Sequence, residues 1–476
     1  MPFKIKNPNE NLTSVFAIVF SILLVISINL ALPFSVFADL SLLTKHITAY
    51  NLEQHKKNLS DGSYKGEEGV LRIDPEVGEV LGLKVFISRD FLKATELYRE
   101  ADALIEEATE ALITQEKERF SGEHVKKVGE LAVRHNKVIT LAWEYMMAYR
   151  SDLTAEEDVR LNVETCSRLM EKLLQEDIEK TSYNLRDALG NFYNRCQNLP
   201  DGTSLNTENI EFVNYVFYEF TKDASEETAN RFDLDRCSNK DAENSWPVWK
   251  YALGSSSSRF APVLEDVFEK HQKTRYPVDI LLFLALIRQE SNYDARNVSY
   301  VGAAGLTQIM PSTAKGLGMQ NIFSPPYFKE AGALLGRERR LKRKATTLLL
   351  RVTEENCLEL AKQARDLMQE SLDIRRKREK LYRRYRRELL NAGTDERLNP
   401  RKALEYGLEY FSQMMKIQKG DISLALASYN AGPHRVKQYN GIPPFEETVS
   451  FRNKVLKYYR VYKSRVRKYF AKLGYN

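Results

Sequence analysis

The sequence lacks the residue patterns of several common metal-binding and disulfide-rich protein classes. Its 476 residues include only four cysteines, and no Cys-x-x-Cys pair occurs, which excludes a disulfide-dense miniature scaffold and a zinc-ribbon array. No His-Glu-x-x-His motif is present, so a zincin-type metalloprotease is excluded. Six scattered histidines offer little material for a metal cluster. We therefore expect neither a metal site nor a cofactor.

The composition also lacks an evenly distributed excess of charge. Hydrophobic residues make up 43% of the chain and charged residues 29%, which is typical of a globular protein, and the length suggests two to four domains. The net charge of +6 comes from one segment: Arg337 to Leu390 holds 18 Lys and Arg against 9 Asp and Glu. Because the rest of the chain shows no basic excess, we do not expect a nucleic-acid partner.

A long uncharged stretch near the amino terminus predicts export. Lys4 and Lys6 precede Asn11 to Ala38, where no charged residue occurs. The small residues at its end are typical of a signal peptide cut after Ala38. As a helix, however, the stretch would reach about 42 Å, more than the roughly 30 Å hydrocarbon core of a bilayer. Residues 1–38 are therefore a signal peptide or a single membrane anchor, and the rest is exported to the periplasm or cell envelope. Export permits disulfides, and the sequence does not decide between pairing and free thiols for Cys166, Cys196, Cys237 and Cys357.

The first half of the chain carries no motif with a chemical role. Residues 39–88 are mixed and polar, and we expect a spacer with short strands at 70–73 and 80–86. From 89 to 254, apolar residues recur at helical spacing, which predicts a separate helical domain acting as a scaffold or interaction module. Gly254 and the four serines after it predict a flexible hinge and a domain boundary. No internal repeat is apparent.

A strongly apolar helix is predicted after this hinge. Val278 to Gln289 contains the run ILLFLALI, which is apolar nearly all round and predicts a fully buried helix. Glu290 follows at its carboxyl end, where burial and the helix dipole both disfavour the charged carboxylate. A carboxyl group that keeps its proton near neutral pH is what a general acid requires. Taken alone, a glutamate that merely reaches solvent past the helix end would be the simpler interpretation.

Three more segments with distinctive composition follow Glu290. Gly305 to Ala314 reads GLTQIMPSTA, with a glycine that permits close backbone approach and an amide at Gln308 that can donate and accept. Residues 425–433 read ALASYNAGP, a helix closed by small residues, Gly and Pro. Residues 443–448 read PPFEET.

These four motifs, in this order, resemble the catalytic domain of soluble lytic transglycosylases, which share a goose-type lysozyme-like fold. The family's Glu-Ser after an apolar helix matches Glu290-Ser291, and its other three motifs match the segments above. The resemblance implies a mostly α protein, with a lysozyme-like helical catalytic domain at 259–327 and 397–476 and a separate helical domain before it. Residues 328–396 would then be a helical insertion.

The resemblance also implies roles for particular residues. Glu290 would protonate the oxygen that bridges N-acetylmuramic acid and N-acetylglucosamine, and would then act as base on the muramic C6 hydroxyl, which closes a 1,6-anhydro ring. No water is consumed, unlike in the two-carboxylate scheme of most glycosidases. The residues that would line the groove or support Glu290 are Ser291, Gln308, Tyr429, Asn430 and Glu447.

Two positions depart from the family pattern. Thr307 stands where a methionine is usual, so the loss of a sugar-contacting thioether would alter subsite preference. Phe451 stands where tyrosine is frequent, which would remove a hydroxyl from the groove wall.

The basic segment lies inside the expected insertion. Arg337 to Ala392 contains no Gly or Pro, and its apolar spacing predicts a helical hairpin with a turn near Thr353 to Asn356. The simpler interpretation is a solvated charged pair of helices that packs on its own domain. The alternative is contact with anionic lipid headgroups or acidic wall polymers.

The sequence thus predicts an exported peptidoglycan lytic transglycosylase acting on glycan strands. One alternative is a hydrolytic muramidase on the same fold, in which Glu447 or Asp294 directs water. Another is an inactive wall-binding scaffold, against which the intact Glu290-Ser291 pair argues. Exo or endo cleavage and the partner of residues 89–254 are not deducible from these patterns.

Overall fold

The computed structural model describes residues 39–113, 122–182, 184–199, 205–225, 248–271, 276 and 278–472. Over this part of the chain the structure is mostly helical and contains no β-strand, only three isolated bridges. The mostly α fold class is therefore confirmed.

The expected strands at 70–73 and 80–86 are wrong. Arg72 adopts a left-handed backbone conformation, with φ of 50°, so the apolar residues around it form a turn. Directly after it, the Asp74 side chain accepts a hydrogen bond from the Val77 amide and caps a short helix, α2, Pro75–Val80. Turn and cap chemistry therefore override the β-propensity of Val, Leu and Ile at these positions.

The amino-terminal half contains seven helices among its described residues. Helix α1 spans residues 39–61. The others are α2, α3 Arg89–Ile113, α4 Gly122–Ser151, α5 Val163–Lys180, α6 Leu185–Cys196 and α7 Ile210–Asp223. Leu40, Leu43 and Ile47 of α1 are buried in one apolar cluster with residues of α5, α6 and α7. Residues 39–88 are consequently part of the folded body and not a spacer.

The carboxyl-terminal half is built around one buried helix. Its helices are α8 Ser255–Ser258, α9 Ala261–His271, α10 Ile280–Ser291, α11 Pro311–Gly316, α12 Pro326–Leu349, α13 Cys357–Ala392, α14 Pro400–Ile417, α15 Ile422–Ala431, α16 Pro433–Gln438 and α17 Glu446–Lys472. The predicted apolar helix is α10, whose residues Ile280 to Ile287 are all buried. Trp249 and Ala252 belong to the same core.

The expected flexible hinge at 254–258 is a folded turn in this structure. The serines form α8, and the hydroxyl of Ser257, which is buried, accepts from the Gly254 amide. Because Trp249 already packs with the core of the following domain, no boundary lies at these serines. A capping serine thus fixes a segment that composition alone suggests is flexible.

The two halves are joined by ion pairs with little solvent exposure. Arg186 on α6 pairs with Asp421 at 2.7 Å, and Arg452 on α17 pairs with Asp187 on α6 at 2.9 Å. Val436, Ile442 and other apolar residues of the second half complete the core cluster of the first. The halves therefore pack against each other through a specific interface.

The basic segment forms the expected hairpin, and the hairpin packs within this protein. Helices α12 and α13 lie side by side with a turn at 350–356, and α13 packs on α4. Their distal ends share an apolar cluster with α3 and α4, where Gly129 lies against Cys357. Arg378 pairs with Glu338 across the hairpin at 2.8 Å, which neutralises part of its charge. Nothing in the described residues supports membrane contact through this hairpin.

The structure reveals an internal repeat that the sequence reading missed. Arg160 is fully buried, pairs with Asp158 and Tyr149, and donates to the carbonyls of Gly66 and Ile73.

Arg397 repeats every one of these contacts, with equivalent partners in the second half: Asp395, Tyr385, Gly302 and Ile309. The bridge between Glu68 and Ile73 likewise repeats between Ala304 and Ile309.

The same helices surround both loops. In each half a hairpin, α3–α4 or α12–α13, follows the loop, and a short 3₁₀ turn with the buried arginine leads into α5 or α14. Asn162 and Asn399 cap those two helices in the same manner. The described parts of the two halves therefore repeat one arrangement of helices around a held loop.

Candidate active site

Helix α10 positions Glu290. At its start the Asp279 carboxylate accepts from the Leu281 amide at 2.8 Å and from the Tyr459 hydroxyl at 2.5 Å. At its end Asn292 turns left-handed, with φ of 49°, and its amide closes on the Arg288 carbonyl. Because the apolar helix is capped at both ends and buried between them, the carboxyl group that follows is held in one place.

The surroundings of Glu290 favour its protonated form. The side chain reaches the surface in part. Burial nevertheless raises the pKa of its carboxyl group well above the ordinary value, and the negative charge of Glu447 raises it further. Glu447 lies in the first turn of α17 and is exposed. A carboxyl group whose pKa is raised by burial and by a neighbouring carboxylate is typical of an acid–base site.

A tight loop forms one side of the site. Gly305 has φ of 81°, and any Cβ at this position would overlap the Arg397 carbonyl oxygen. The guanidinium of Arg397 fixes the loop by donating to the Gly302 carbonyl at 3.0 Å and to the Ile309 carbonyl at 3.2 Å. A buried guanidinium paired with Asp395 thus fixes the backbone beside Glu290.

Gln308 links this loop to the segment that follows α10. Its amide nitrogen donates to the carbonyls of Asn297 at 2.9 Å and Gly305 at 2.8 Å. Asn297 in turn donates to the carbonyl of Glu290 at 3.3 Å. The side chain of Gln308 is buried, so its contacts support Glu290 through the backbone.

Tyr429 on α15 is buried close to Glu290. Its hydroxyl donates to the Thr307 carbonyl at 2.7 Å, which ties α15 to the loop. Burial raises its pKa well above the ordinary value, and the charge of Glu290 contributes in the same direction. Tyr429 therefore stays a neutral donor in this environment.

Asn430 and Glu447 bring α15 and α17 together. The Thr448 hydroxyl donates to the Asn430 side-chain oxygen at 2.7 Å. Asn430 is partly exposed, and Glu447 is the immediate neighbour of Thr448. Of the predicted residues, Tyr429 and Glu447 thus act electrostatically with Glu290, Gln308 reaches it through Asn297, and Asn430 contacts the neighbour of Glu447.

Ser291 and the two departures from the family pattern are buried. Ser291 is buried and donates to the Ile287 carbonyl at 3.2 Å, so it stabilises the end of α10 and does not support the predicted contact with substrate. Thr307 is fully buried against Gly407 and donates to the Ala403 carbonyl. Phe451 belongs to the core. Neither departure therefore changes the surface of the site.

The sequence did not predict the buried residues that fix the helix and the loop of this site. Asp279 and Tyr459 cap α10, and Asp395 and Arg397 hold the loop. The one available signal was the pattern Asp-x-Arg-x-Asn, whose Asn caps a helix and which also occurs from Asp158 to Asn162. Within the described residues, no group of His, Cys, Asp and Glu is placed to hold a metal ion.

Three cysteines that the structure describes, Cys166, Cys196 and Cys357, are free thiols; Cys237 lies outside the described residues. The described helices include none that is both long and apolar enough to cross a membrane. The apolar stretch up to Ala38 lies outside the described residues.

Two comparisons with known proteins bear on this site. The family model described as "Transglycosylase SLT domain" matches residues 267–331 and 374–450, which include Glu290 and all the residues gathered around it. The matched stretches also include both ends of the segment 328–396, so the unmatched part of the hairpin is 332–373.

A curated relative, a transglycosylase of Enterobacteria phage PRD1, is 42% identical over 64 residues, which is 13% of this chain and 24% of the relative. The chain thus spans about a quarter of the length of that relative. These matches confirm the family predicted from the four motifs, since residues 267–331 and 374–450 are similar to a transglycosylase SLT domain.

Proposed function

We propose that this protein is a peptidoglycan lytic transglycosylase that cleaves the β-1,4 bond between N-acetylmuramic acid and N-acetylglucosamine. The observation that carries the proposal is Glu290, a carboxyl group at the end of a buried helix, whose pKa is raised, and whose protonated form is therefore favoured, by burial and by the neighbouring charge of Glu447. This is the state that a general acid needs before it meets the glycosidic oxygen. The SLT-domain match supports the substrate class.

In the proposed reaction Glu290 acts twice. Its proton passes to the bridging oxygen, the bond from muramic C1 to that oxygen breaks, and the bonding electron pair leaves with the N-acetylglucosamine. The resulting carboxylate then removes the proton from the muramic C6 hydroxyl, whose oxygen bonds to C1 and closes the 1,6-anhydro ring. Glu290 is protonated again at the end, and neither water nor a cofactor enters the balance.

The remaining residues have supporting roles in this proposal. Tyr429 and Gln308 fix the loop beside Glu290 through the hydrogen bonds described above. The partly exposed Asn430 is the best candidate for a polar contact with the sugar. The negative charge of Glu447 favours the positive charge that develops on the sugar ring when the bond breaks.

Hydrolysis is the alternative outcome on the same site. It requires a second carboxylate that directs water, and Asp294 is poorly suited because its side chain accepts from the Arg296 amide at 2.9 Å within its own turn. Glu447, being exposed and close enough to affect Glu290, is the better candidate. The two reactions differ in their products, since hydrolysis adds one water that ring closure does not.

Mass analysis of glycan fragments released from purified sacculi tests the proposal. We expect anhydro products from the wild type and a loss of about 10²–10⁴-fold in rate for Glu290→Gln, which keeps the shape but carries no exchangeable acid proton. Glu446→Gln, a change at the exposed neighbour of Glu447, is the matched control and should remain active. Reducing products would instead establish the hydrolase, and unchanged activity of Glu290→Gln would overturn the assignment.

We further propose that the enzyme acts outside the cytoplasm, in the periplasm or cell envelope, because its substrate class lies there and because residues 11–38 carry no charge. Sequencing the amino terminus of the protein from its host distinguishes a cleaved signal from a retained anchor. A mature chain beginning at Asp39 indicates cleavage, whereas an intact, membrane-bound chain indicates the anchor. Recovery of the intact chain in the cytoplasmic fraction would contradict export.

A further inference from the structure

The amino-terminal half presents its own side chains at the place of the active site. Because the two halves share a fold, equivalent positions can be identified from the elements that carry them. Arg72 occupies the position of Gln308, in the same loop and with nearly the same φ, 50° against 48°. Glu211 is the second residue of α7, as Glu447 is of α17. Asn184 caps α6 as Asp421 caps α15, so residues at equal distances from these caps are equivalent. Tyr193 then corresponds to Asn430, and Phe192 corresponds to Tyr429.

The equivalent of the catalytic glutamate is Tyr50. It follows the buried Asp39 at the spacing at which Glu290 follows the buried Asp279. Its ring packs on α7, against Phe212 at 5.4 Å and Tyr215 at 5.2 Å between ring centroids, as the catalytic helix packs on α17. This half therefore has an aromatic ring where the other has its acid, and it lacks the group that would perform the chemistry.

The replacements form a cluster of aromatic rings with one cation. The rings of Tyr50 and Tyr193 both pack against Phe212, with centroid distances of 5.4 and 5.1 Å, and both remain partly exposed. Arg72 is hydrogen-bonded to Tyr193 and is only 7% exposed, yet its Nε has no hydrogen-bond partner in the part of the chain that the structure describes. A buried guanidinium with an unused donor is costly unless a water or a ligand accepts its hydrogen bond, so a ligand oxygen could take this place.

The charges around this cluster limit which ligand it can take. Glu211 and Glu53 act electrostatically on Tyr50, and Glu67 and Glu208 on Tyr193, so carboxylates lie near both rings of this cluster. An anionic ligand would be repelled by them, whereas a neutral one would not. Partly exposed aromatic faces with one fixed polar donor suit a sugar ring, whose C–H face is apolar and whose hydroxyl and acetamido oxygens accept hydrogen bonds.

We infer that the amino-terminal half holds a second, non-catalytic glycan site, built from Tyr50, Tyr193 and Arg72, that binds a neutral chain of β-linked N-acetylhexosamines. The inference rests on the proposed function for its ligand class, because a duplicated groove would retain the substrate type of the catalytic copy. Its effect would be to hold a glycan strand on the protein while the other half cleaves.

Calorimetric titration of the full chain with chitotetraose, a neutral β-1,4-linked tetramer of N-acetylglucosamine, tests the inference. The titration uses a Glu290→Gln background, in which no cleavage is expected. Tyr50→Ala removes the central ring, and Arg72→Gln installs the residue that the other half tolerates at the same φ. We expect each change to weaken binding at least tenfold or to remove one of two binding phases. Tyr218→Ala, at an exposed tyrosine on the same helix α7, is the matched control and should bind as the parent does.

The outcomes separate this site from the catalytic one. Binding that is unchanged by both Tyr50→Ala and Arg72→Gln overturns the inference, as does a parent that binds no chitotetraose. Circular dichroism checks that each variant folds. If Tyr50→Ala does not fold, the binding measured for Arg72→Gln tests the inference alone. The mass analysis of wild-type products reports independently on the catalytic half, so failure of the proposed function would be visible there and not in this titration.

Discussion

The two halves of the chain keep the same support and differ in the residues it presents. Both hold a loop from below with a buried Asp-x-Arg pair and a tyrosine hydroxyl, Arg160 with Tyr149 and Arg397 with Tyr385. At the equivalent position near this loop, the carboxyl-terminal half has Glu290 and the amino-terminal half has Tyr50. The residues that stabilise this fold are therefore distinct from the residues proposed to perform its chemistry. The stabilising residues can be retained while the others are replaced.

The same comparison explains why a pKa matters in one half alone. Burial raises the pKa of Glu290 from its ordinary value towards neutral pH, where a change of protonation can serve catalysis. Burial also raises the pKa of Tyr50, which moves an already high value further from neutral pH. The amino-terminal half therefore has a neutral, unchanging group where the catalytic half has one that can exchange a proton.

The largest expected effect comes from breaking the shared support. Arg397→Met and Arg160→Met each leave a fully buried aspartate without its partner, Asp395 or Asp158, and remove hydrogen bonds to two carbonyls. We expect each change to lower the free energy of unfolding by about 3–5 kcal/mol, measured by urea unfolding followed by circular dichroism. Similar losses in the two variants would show that the two copies are equivalent in structure.

An exposed ion pair provides the control for this prediction. Arg401 pairs with Asp266 on the surface, and Arg401→Met should cost about 1 kcal/mol or less. If either buried variant lost no more than this control, the equivalence of the two copies would be contradicted for that half.

The candidate site of the carboxyl-terminal half could be predicted from the sequence because it depends on local motifs. An apolar run followed by Glu290 and the loop from Gly305 to Ala314 have short signatures whose spacing the fold keeps. The turn of the hairpin was also predictable, since uninterrupted helical spacing ends near Thr353. In each case the information lies within about one element of the chain.

The repeat could not be found in this way because its common residues are few and scattered. Gly66, Gly69, Ile73 and Pro75 match Gly302, Gly305, Ile309 and Pro311, and the next match, Asp-x-Arg-x-Asn, follows only after a whole hairpin. The apolar positions between them are filled by different side chains of suitable size, which cores tolerate. Arg160 donates to backbone carbonyls, which every residue type supplies, so the residues that accept these hydrogen bonds cannot be identified from the sequence.

A smaller effect distinguishes the titrating half from the other one. The folded-state pKa of Glu290 is raised, so the folded protein holds a proton that the unfolded chain has lost, and stability falls as pH rises between the two pKa values. Glu290→Gln cannot ionise. It should match the wild type in stability near about pH 4 and exceed it increasingly at higher pH, by about 1.4 kcal/mol for each unit of pKa difference.

The amino-terminal equivalent serves as the comparison for this measurement. Tyr50→Phe removes a hydroxyl whose pKa is raised further from neutrality, so its stability difference from the wild type should not change between about pH 4 and about pH 8. Melting temperatures across this range check both variants. A pH-independent difference for Glu290→Gln would mean that the carboxyl group is not perturbed by burial.

The smallest predicted effect concerns the second cause of the Glu290 shift. Glu447→Gln removes a negative charge that favours the protonated acid, so the pKa of Glu290 should fall while burial still holds it above its ordinary value. Since the proposed general acid must be protonated, the alkaline limb of the pH–rate profile should move to lower pH, by up to about one unit. The position of the limb is the decisive quantity, because a changed contact with the sugar would alter its height instead. Glu446→Gln removes the same charge one residue away and should leave the limb in place. If the alkaline limb stays in place in Glu447→Gln, burial alone would be the cause of the raised pKa of Glu290. The glutamate that both halves carry at this helix position, Glu211 or Glu447, would then be a structural residue of the repeated fold and not part of the chemistry.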